Sequence, residues 1–177
     1  MDFIEFDVYE LNLKIFDMID NKWGLIFVGD LKKNNIMTAS WMSFGILWNY
    51  PIIIVYIRPT RYTYNLMEKN DLFSVSFFND NYNDKLKFCG TKSGRNINKI
   101  EACNFNLINK EIIFEKNISI NFPIIEESDI VFICQKIYFQ DLNKNNFLIP
   151  EIDNNYNNDY HRFYIGKILS VLEKSNN

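Results

Sequence analysis

Short apolar runs alternate with polar turns along most of the chain, a pattern typical of proteins built mainly from β-strands. Residues 51–57 are apolar on both faces and mostly β-branched, which predicts a buried strand with Pro51 at its start. Further strands are predicted at residues 23–28, 36–48 (bent around Gly45), 72–78, 112–114, 118–122, 130–139 and 163–172.

Helical patterns are few and short, and they lie between the predicted strands. Helices are predicted at residues 62–69, 85–89 and 97–103. Pro59 and Thr60 are typical of a helix start, and Gly90 is typical of the residue that follows a helix end. The pattern therefore predicts a mainly β fold with short helices. A β-barrel with helical insertions is the preferred architecture, and a β-sandwich is the alternative.

Composition narrows the class of protein. Hydrophobic residues make up 47% of the 177 residues and aromatic residues 16%, which excludes intrinsic disorder. The formal net charge of −3 argues against a dedicated nucleic-acid-binding protein, because such domains are usually basic. No apolar run approaches the ~20 residues that span a bilayer. The chain also starts with acidic residues, where a signal peptide is basic.

The three cysteines are scattered in the sequence, which is typical of a reducing compartment. We expect Cys89 and Cys134 to be small core residues, although Cys89 could also approach a ligand. We therefore predict a cytoplasmic protein that binds neither nucleic acid nor membranes. No linker or internal repeat divides the sequence, so residues 1–177 are predicted to form one domain.

The sequence lacks the common catalytic motifs. His161 is the single histidine, which excludes a His-rich metal site, and we expect no metal. The sequence contains no G-x-G-x-x-G, no P-loop and no G-x-S-x-G. An enzyme without its own nucleophile or metal often uses an organic cofactor, so we expect a cofactor here.

Residues 58–63 form the first candidate ligand-binding segment. They join a buried strand to a predicted helix start, where unpaired N–H groups favour an anion. Arg58 offers a planar fork that suits phosphate, and Thr60 and Thr63 offer hydroxyl donors. A structural role fits equally well, with Thr60 capping the helix and Arg58 paired with a carboxylate.

Two further segments carry side chains suited to a ligand. Residues 91–95 combine basic side chains with a glycine that lets the backbone approach an anion, although a solvated basic loop has the same composition. The candidates there are Lys92, Ser93, Gly94 and Arg95. Residues 35–41 place small hydroxyl residues beside an indole, which suits a flat ring or a core strand. The candidates there are Met37, Thr38, Ala39, Ser40 and Trp41.

Four motifs follow one another over most of the chain: N-x-M-T-x-S-W at 35–41, R-x-T-R-x-T at 58–63, S-G-R-x-x-x-K at 93–99, and D-Y-H-R at 159–162 followed by I-G. Each motif is weak alone, but the ordered set resembles the flavin reductase-like family, and its flavoredoxin-like members in particular. The chain departs from the family pattern at Lys167, where an acidic residue usually follows the glycine.

This resemblance implies an FMN-binding split β-barrel that forms a homodimer, with one FMN per subunit near the interface. It places at the flavin Met37, Thr38, Ala39, Ser40 and Trp41; at the phosphate Arg58, Thr60 and Thr63; and on the other side of the cofactor Lys92, Ser93, Gly94 and Arg95. The resemblance also places His161 near the ring, where hydride arrives, as the candidate catalytic residue.

The function implied is that of an oxidoreductase in which NADH or NADPH transfers hydride to FMN and FMN passes electrons onward. The alternative is an FMN-holding electron carrier that is reduced by a redox partner protein and has little NAD(P)H activity of its own. A third hypothesis is a non-catalytic barrel that binds a different anionic ligand.

Overall fold

The computed structural model describes residues 2–115 and 118–175. The strands are β1 (Phe3–Phe6), β2 (Gly24–Gly29), β3 (Asn34–Ala39), β4 (Met42–Leu47), β5 (Tyr50–Ile57), β6 (Leu72–Phe77), β7 (Leu107–Glu115), β8 (Ile118–Ile125), β9 (Ile130–Asp141) and β10 (Arg162–Lys174). The predicted single domain, residues 1–177, also includes residues 1, 116–117 and 176–177, which lie outside the described part of the chain.

Four short α-helices lie between the strands: α1 (Ile15–Asp17), α2 (Tyr62–Met67), α3 (Asn83–Thr91) and α4 (Lys99–Ala102). A π-helical turn, Met18–Lys22, continues α1. Single-turn 3₁₀ helices occur at Val8–Glu10, Asp80–Tyr82 and Lys144–Asn146, and a longer one at Pro150–Asn155. None of the helices in the described residues has the length and apolar character needed to cross a membrane.

Eight strands form one antiparallel sheet in the order β3-β2-β6-β9-β10-β5-β4, with β1 added alongside β10. The long strand β10 organises this sheet, since it pairs with β9 along most of its length, with β5 through its first half and with β1 through its second half. Strands β7 and β8 form a separate hairpin. The mainly β fold with short helices is confirmed. Among the described residues the sheet is not closed into a barrel, because the strands at its two ends, β3 and β4, do not pair with each other.

The core consists of two apolar clusters, one on each face of the sheet. Strand β2 shows why both form, since its consecutive apolar residues alternate between the clusters: Ile26 and Val28 join the first, while Leu25 and Phe27 join the second. The first cluster includes Phe73, Phe77, Phe132 and Tyr164. The second is covered by α3 and the β7–β8 hairpin, through residues such as Leu86, Phe122 and Ile124.

Two local predictions are wrong. The predicted bent strand 36–48 is two strands, β3 and β4, which separate at Ser40 and Trp41 because the chain there crosses from one edge of the sheet to the other. Gly45 lies within β4 and marks no bend. Gly90 does not follow a helix end, because α3 continues through it to Thr91.

Gly166, in the central strand β10, has no room for a side chain. A Cβ atom there would lie 2.4 Å from Phe73 Cζ and 2.8 Å from Cys134 Cβ, whereas a Cβ at Gly45 would have no atom within 4 Å. Gly166→Ala should therefore lower the free energy of unfolding by about 1–3 kcal/mol through overpacking. Gly45→Ala is the matched control and should leave it unchanged or slightly higher. Equal urea midpoints for the two variants would contradict this account.

Candidate functional site

Two adjoining cavities form one groove where β3, the β5–α2 turn, the segment between α3 and α4, and the start of β10 meet. Their volumes are about 320 Å³ and 310 Å³, and they share Met37, Arg58 and Arg61 as walls. Together they lie within the size range of cofactor sites. We call them the basic cavity (residues 35, 37, 58, 60–63, 92–95, 99 and 159) and the aromatic cavity (residues 37–41, 56, 58, 61 and 161).

The basic cavity has a strong excess of positive charge. Its cationic side chains are Arg58, Arg61, Lys92, Arg95 and Lys99, and Asp159 is the one carboxylate in its lining. Within residues 2–115 and 118–175, none of these five cations makes a salt bridge. Such a concentration of uncompensated charge in a concave site raises the local concentration of anions.

Arg58 is held by neutral groups. Its Nη2 donates a hydrogen bond to the backbone carbonyl of Asn155 at 2.8 Å, and its guanidinium lies 5.4 Å from the centre of the Tyr156 ring. The alternative in which Arg58 pairs with a carboxylate is not observed among the described residues. The side chain is therefore oriented while its charge remains available to a ligand in the cavity.

The two threonines of the β5–α2 turn have different partners. Thr60 Oγ1 donates to Asp159 Oδ2 at 2.6 Å. The buried Thr63 Oγ1 accepts from Asn35 Nδ2 at 2.8 Å, which leaves its own proton free to be donated. Neither threonine caps α2, because the N-cap residue is Arg61 and it makes no side-chain capping bond.

Residues 92–95 are hydrogen-bonded to the β5–α2 turn. Arg95 Nη1 donates to the Thr60 carbonyl at 2.8 Å, and Ser93 Oγ accepts from the Arg95 backbone N–H at 3.3 Å. A Cβ atom at Gly94 would lie 2.0 Å from Asn35 Oδ1. Gly94 is thus required for packing against Asn35, which is a different reason from the close approach of a ligand expected from the sequence.

Lys99 is a buried cation that the sequence alone did not identify as a site residue. Its exposed fraction is 4%, and its Nζ donates to the carbonyls of Ile36 at 2.9 Å and Cys89 at 2.7 Å. Burial lowers the pKa of Lys99. The S-G-R-x-x-x-K spacing was the signal, but the partners that bury the ammonium lie on other parts of the chain.

His161 lies against aromatic rings at the aromatic cavity. The ring centres of Trp41, Tyr156 and Tyr56 lie 5.3, 5.4 and 6.3 Å from that of the imidazole. His161 is 8% exposed, and its buried Nδ1 has no hydrogen-bond partner among the described residues. Burial, together with the nearby charge of Arg58, lowers the pKa of His161 to about 4. The imidazole is therefore neutral at neutral pH.

The remaining residues of the aromatic cavity provide its wall and mouth. Met37 and Ala39 are buried, whereas Trp41 is 48% exposed at the mouth. Thr38 Oγ1 donates a hydrogen bond to the Leu86 carbonyl of α3 at 2.5 Å, so the hydroxyl proton is not available to a ligand. Ser40 is exposed.

All of the predicted site residues line this groove. The basic cavity includes Met37, Arg58, Thr60, Thr63, Lys92, Ser93, Gly94 and Arg95, and the aromatic cavity adds Thr38, Ala39, Ser40, Trp41 and His161. The structure adds Tyr56 to this lining. It also adds residues that lie within the predicted segments and motifs but were not predicted individually as site residues, namely Asn35, Arg61, Tyr62, Lys99 and Asp159. Tyr56 lies in the predicted buried strand 51–57, a pattern that indicates a core residue and not a ligand-binding one.

The low pKa of His161 predicts a specific dependence of stability on pH. The unfolded chain takes up a proton on this residue near pH 6.5, while the folded protein does so only near pH 4. The free energy of unfolding should therefore fall between pH 6.5 and 4, by up to about 3 kcal/mol from this residue.

Urea unfolding of wild type and His161→Gln across this pH range isolates the contribution of His161 to the free energy of unfolding, since the variant retains every carboxylate. The decrease in this free energy on acidification should be smaller in the variant than in wild type. Parallel pH profiles for the two proteins would show that His161 titrates normally in the fold.

Comparison with known proteins assigns the family. The model of the flavin reductase like domain matches residues 24–177. Comparison with curated proteins gave no match. Among solved structures, an FMN-binding protein from Thermus thermophilus with bound 1-cyclohex-2-enone is 21% identical, with a TM-score of 0.62 over 86% of this chain and 70% of that one.

Two other structures share the fold. A flavoredoxin from Methanosarcina acetivorans is 21% identical, with a TM-score of 0.62 over 87% of this chain and 69% of that one. An NADH:FAD oxidoreductase from Streptomyces globisporus C-1027 is 10% identical, with a TM-score of 0.61 over 86% and 75%. The matched residues, 24–177, include the whole of the groove. The chain therefore belongs to the flavin reductase-like family.

Proposed function

We propose that the chain binds FMN in this groove and acts as an oxidoreductase in which NADH or NADPH supplies hydride to the flavin. One observation supports the proposal above all. The basic cavity, with five cations and one carboxylate, is joined to the aromatic cavity, whose walls include aromatic rings. FMN has the same two parts, a phosphate and a flat ring. The FMN-binding protein and the flavoredoxin that share the fold support this assignment.

The phosphate would bind in the basic cavity. Charge-assisted hydrogen bonds from Arg58 would hold it, and the free proton of Thr63 would add a neutral donor. The other groups of this cavity that would surround the phosphate are Thr60, Lys92, Ser93, Gly94 and Arg95. Arg61 and Lys99 would add positive charge from the cavity walls.

The ring would lie in the aromatic cavity, against Met37, Thr38, Ala39, Ser40 and Trp41. Bound FMN supplies the hydride and electron chemistry that the side chains lack. His161 would be the catalytic residue beside the ring, with its unpartnered Nδ1 available for a hydrogen bond. Because the imidazole is neutral at neutral pH, it has one donor and one acceptor nitrogen.

The test of this function is the absorption spectrum of the purified protein. We expect a yellow protein that releases FMN, and not FAD, on denaturation. Anaerobic addition of NADH, then of NADPH to a second sample, should bleach the flavin band. A colourless protein that takes up no added FMN would contradict the proposal.

A flavin that is bleached by dithionite but by neither nicotinamide would favour the second candidate, an electron carrier reduced by a partner protein. This second candidate function is supported by the similarity in fold to a flavoredoxin.

Arg58 offers a quantitative test of where the phosphate lies. Loss of a charge-assisted contact should remove roughly 1.5–3 kcal/mol of binding energy. Arg58→Ala should therefore weaken FMN binding by about 10- to 150-fold in calorimetric titrations. Arg58→Lys should recover only part of this loss, because a point charge replaces a planar fork.

Riboflavin is the control ligand, since it lacks the phosphate. Its affinity should hardly change in either Arg58 variant. FMN affinity equal to that of wild type in Arg58→Ala would assign Arg58 a structural role. An equal loss for both ligands would indicate damage to the fold.

We further propose that the protein is a homodimer. Apolar side chains on the β4–β5 hairpin and on β9, which β10 separates from that hairpin in the sheet, are exposed, namely Ile46, Trp48, Tyr50 and Tyr138. The Trp48 and Tyr138 rings lie 6.0 Å apart. Contiguous exposed apolar surface of this kind is typical of an interface.

Light scattering at micromolar concentration should give twice the mass of the chain. Trp48→Asp should shift this mass toward that of the monomer. Ile113→Asp, at an exposed site on the separate β7–β8 hairpin, is the matched control and should leave the dimer intact. A monomeric wild-type protein would refute the dimer.

A further inference from the structure

Cys89 and Cys103 lie side by side beneath the groove. Their Sγ atoms are 3.6 Å apart, and both side chains are buried. Cys89 is near the end of α3, and Cys103 is the residue that caps the end of α4. The sequence separates them by 14 positions, so only the fold brings the two thiols together. Cys134 is also buried, and its Sγ contacts the Phe132 carbonyl.

The two cysteines are at the two ends of the segment that walls the basic cavity. Residues 92–95 lie between them in the chain and line that cavity. The Cys89 carbonyl accepts a hydrogen bond from Lys99 Nζ, and the next residue, Gly90, accepts one from Arg61 Nη1 at 3.5 Å. A shift of the backbone at Cys89 and Gly90 would therefore move the hydrogen-bond acceptors of two cations of the groove.

We propose that Cys89 and Cys103 form a reversible disulfide whose formation is coupled to occupancy of the basic cavity. The Sγ–Sγ distance must shorten to about 2.05 Å. This closure of about 1.5 Å requires a modest shift of α3 toward α4, two short helices joined by the cavity segment. Transient disulfides of this type also occur in reducing compartments.

Hydrogen peroxide is a sufficient oxidant, and the reaction balances with it. One cysteine, as the thiolate, attacks a peroxide oxygen, the O–O bond breaks, and the leaving hydroxide takes up the thiol proton to become water. The second sulfur then attacks the resulting sulfenic acid, the S–S bond forms, and a second water leaves. Two thiols and one peroxide thus give one disulfide and two waters, and two electrons pass from sulfur to oxygen.

Burial makes the reaction depend on opening of this segment. Burial, together with the neighbouring Cys103 thiol, raises the pKa of Cys89 to about 12. A thiolate forms readily only when the segment between α3 and α4 moves away and admits water. A ligand that contacts residues 92–95 holds the segment closed, so ligand binding suppresses opening and protects the thiols.

The disulfide itself is independent of the proposed function, whereas its coupling to FMN rests on that function. The full-length protein is treated with hydrogen peroxide, with and without FMN, and then alkylated. Peptide mapping by mass spectrometry follows the bond between Cys89 and Cys103 with time. FMN at about a hundred times its dissociation constant should slow formation of this bond by at least about tenfold. Dithiothreitol should reverse the reaction.

Cys103→Ala should form no intramolecular disulfide, whereas Cys134→Ala, the matched control at another buried thiol, should form it as wild type does. Flavin uptake is measured on the same samples. Absence of the Cys89–Cys103 bond in FMN-free wild type would overturn the proposal, and so would an unchanged rate in protein shown to hold FMN. Disulfide formation without any FMN uptake would instead overturn the proposed function and the coupling, and would leave the disulfide in place.

Discussion

Backbone carbonyls hold the cations of the groove, and the site depends on this arrangement. The cations oriented in this way are Arg58, Arg61, Arg95 and Lys99. A neutral carbonyl fixes the direction of a side chain without cancelling its charge, whereas a carboxylate would do both. The basic cavity therefore keeps a positive potential that draws an anion. The single carboxylate in its lining, Asp159, accepts a hydrogen bond from the Thr60 hydroxyl and pairs with none of these cations.

Helix α3 links this groove to the hydrophobic core. Leu86 and Cys89 belong to the second apolar cluster, and both are fully buried. The carbonyls of the same stretch face the groove and accept hydrogen bonds from Thr38, Lys99 and Arg61. The side chains of this helix therefore pack in the core, while its backbone carbonyls accept hydrogen bonds from residues of the groove. Core packing and the positions of the groove's polar residues are consequently coupled.

Local sequence patterns are enough to predict the class of fold and most of the residues that line the groove. Alternation and turn residues are local signals, so the strands at 23–28, 51–57 and 72–78 were placed within a residue or two. The four motifs contain every predicted site residue except Lys92, and all of these residues line the groove, because three of the motifs lie at strand ends or turns that converge there. The pattern could not place the break at Ser40 and Trp41, since it depends on where the two flanking strands find their partners.

Residues of the same type have different roles in the folded chain, and their sequence context does not distinguish these roles. The four arginines look alike in sequence, yet three line the groove, while Arg162 is bound by Asp141 and Glu68 outside it. Lys99 is buried because it finds the carbonyl of Ile36, 63 positions away, and Cys89 meets Cys103 only through the packing of two helices. The physical reason is the same in each case. A local pattern specifies what a side chain can do, whereas partners distant in the chain decide its charge, its burial and its role.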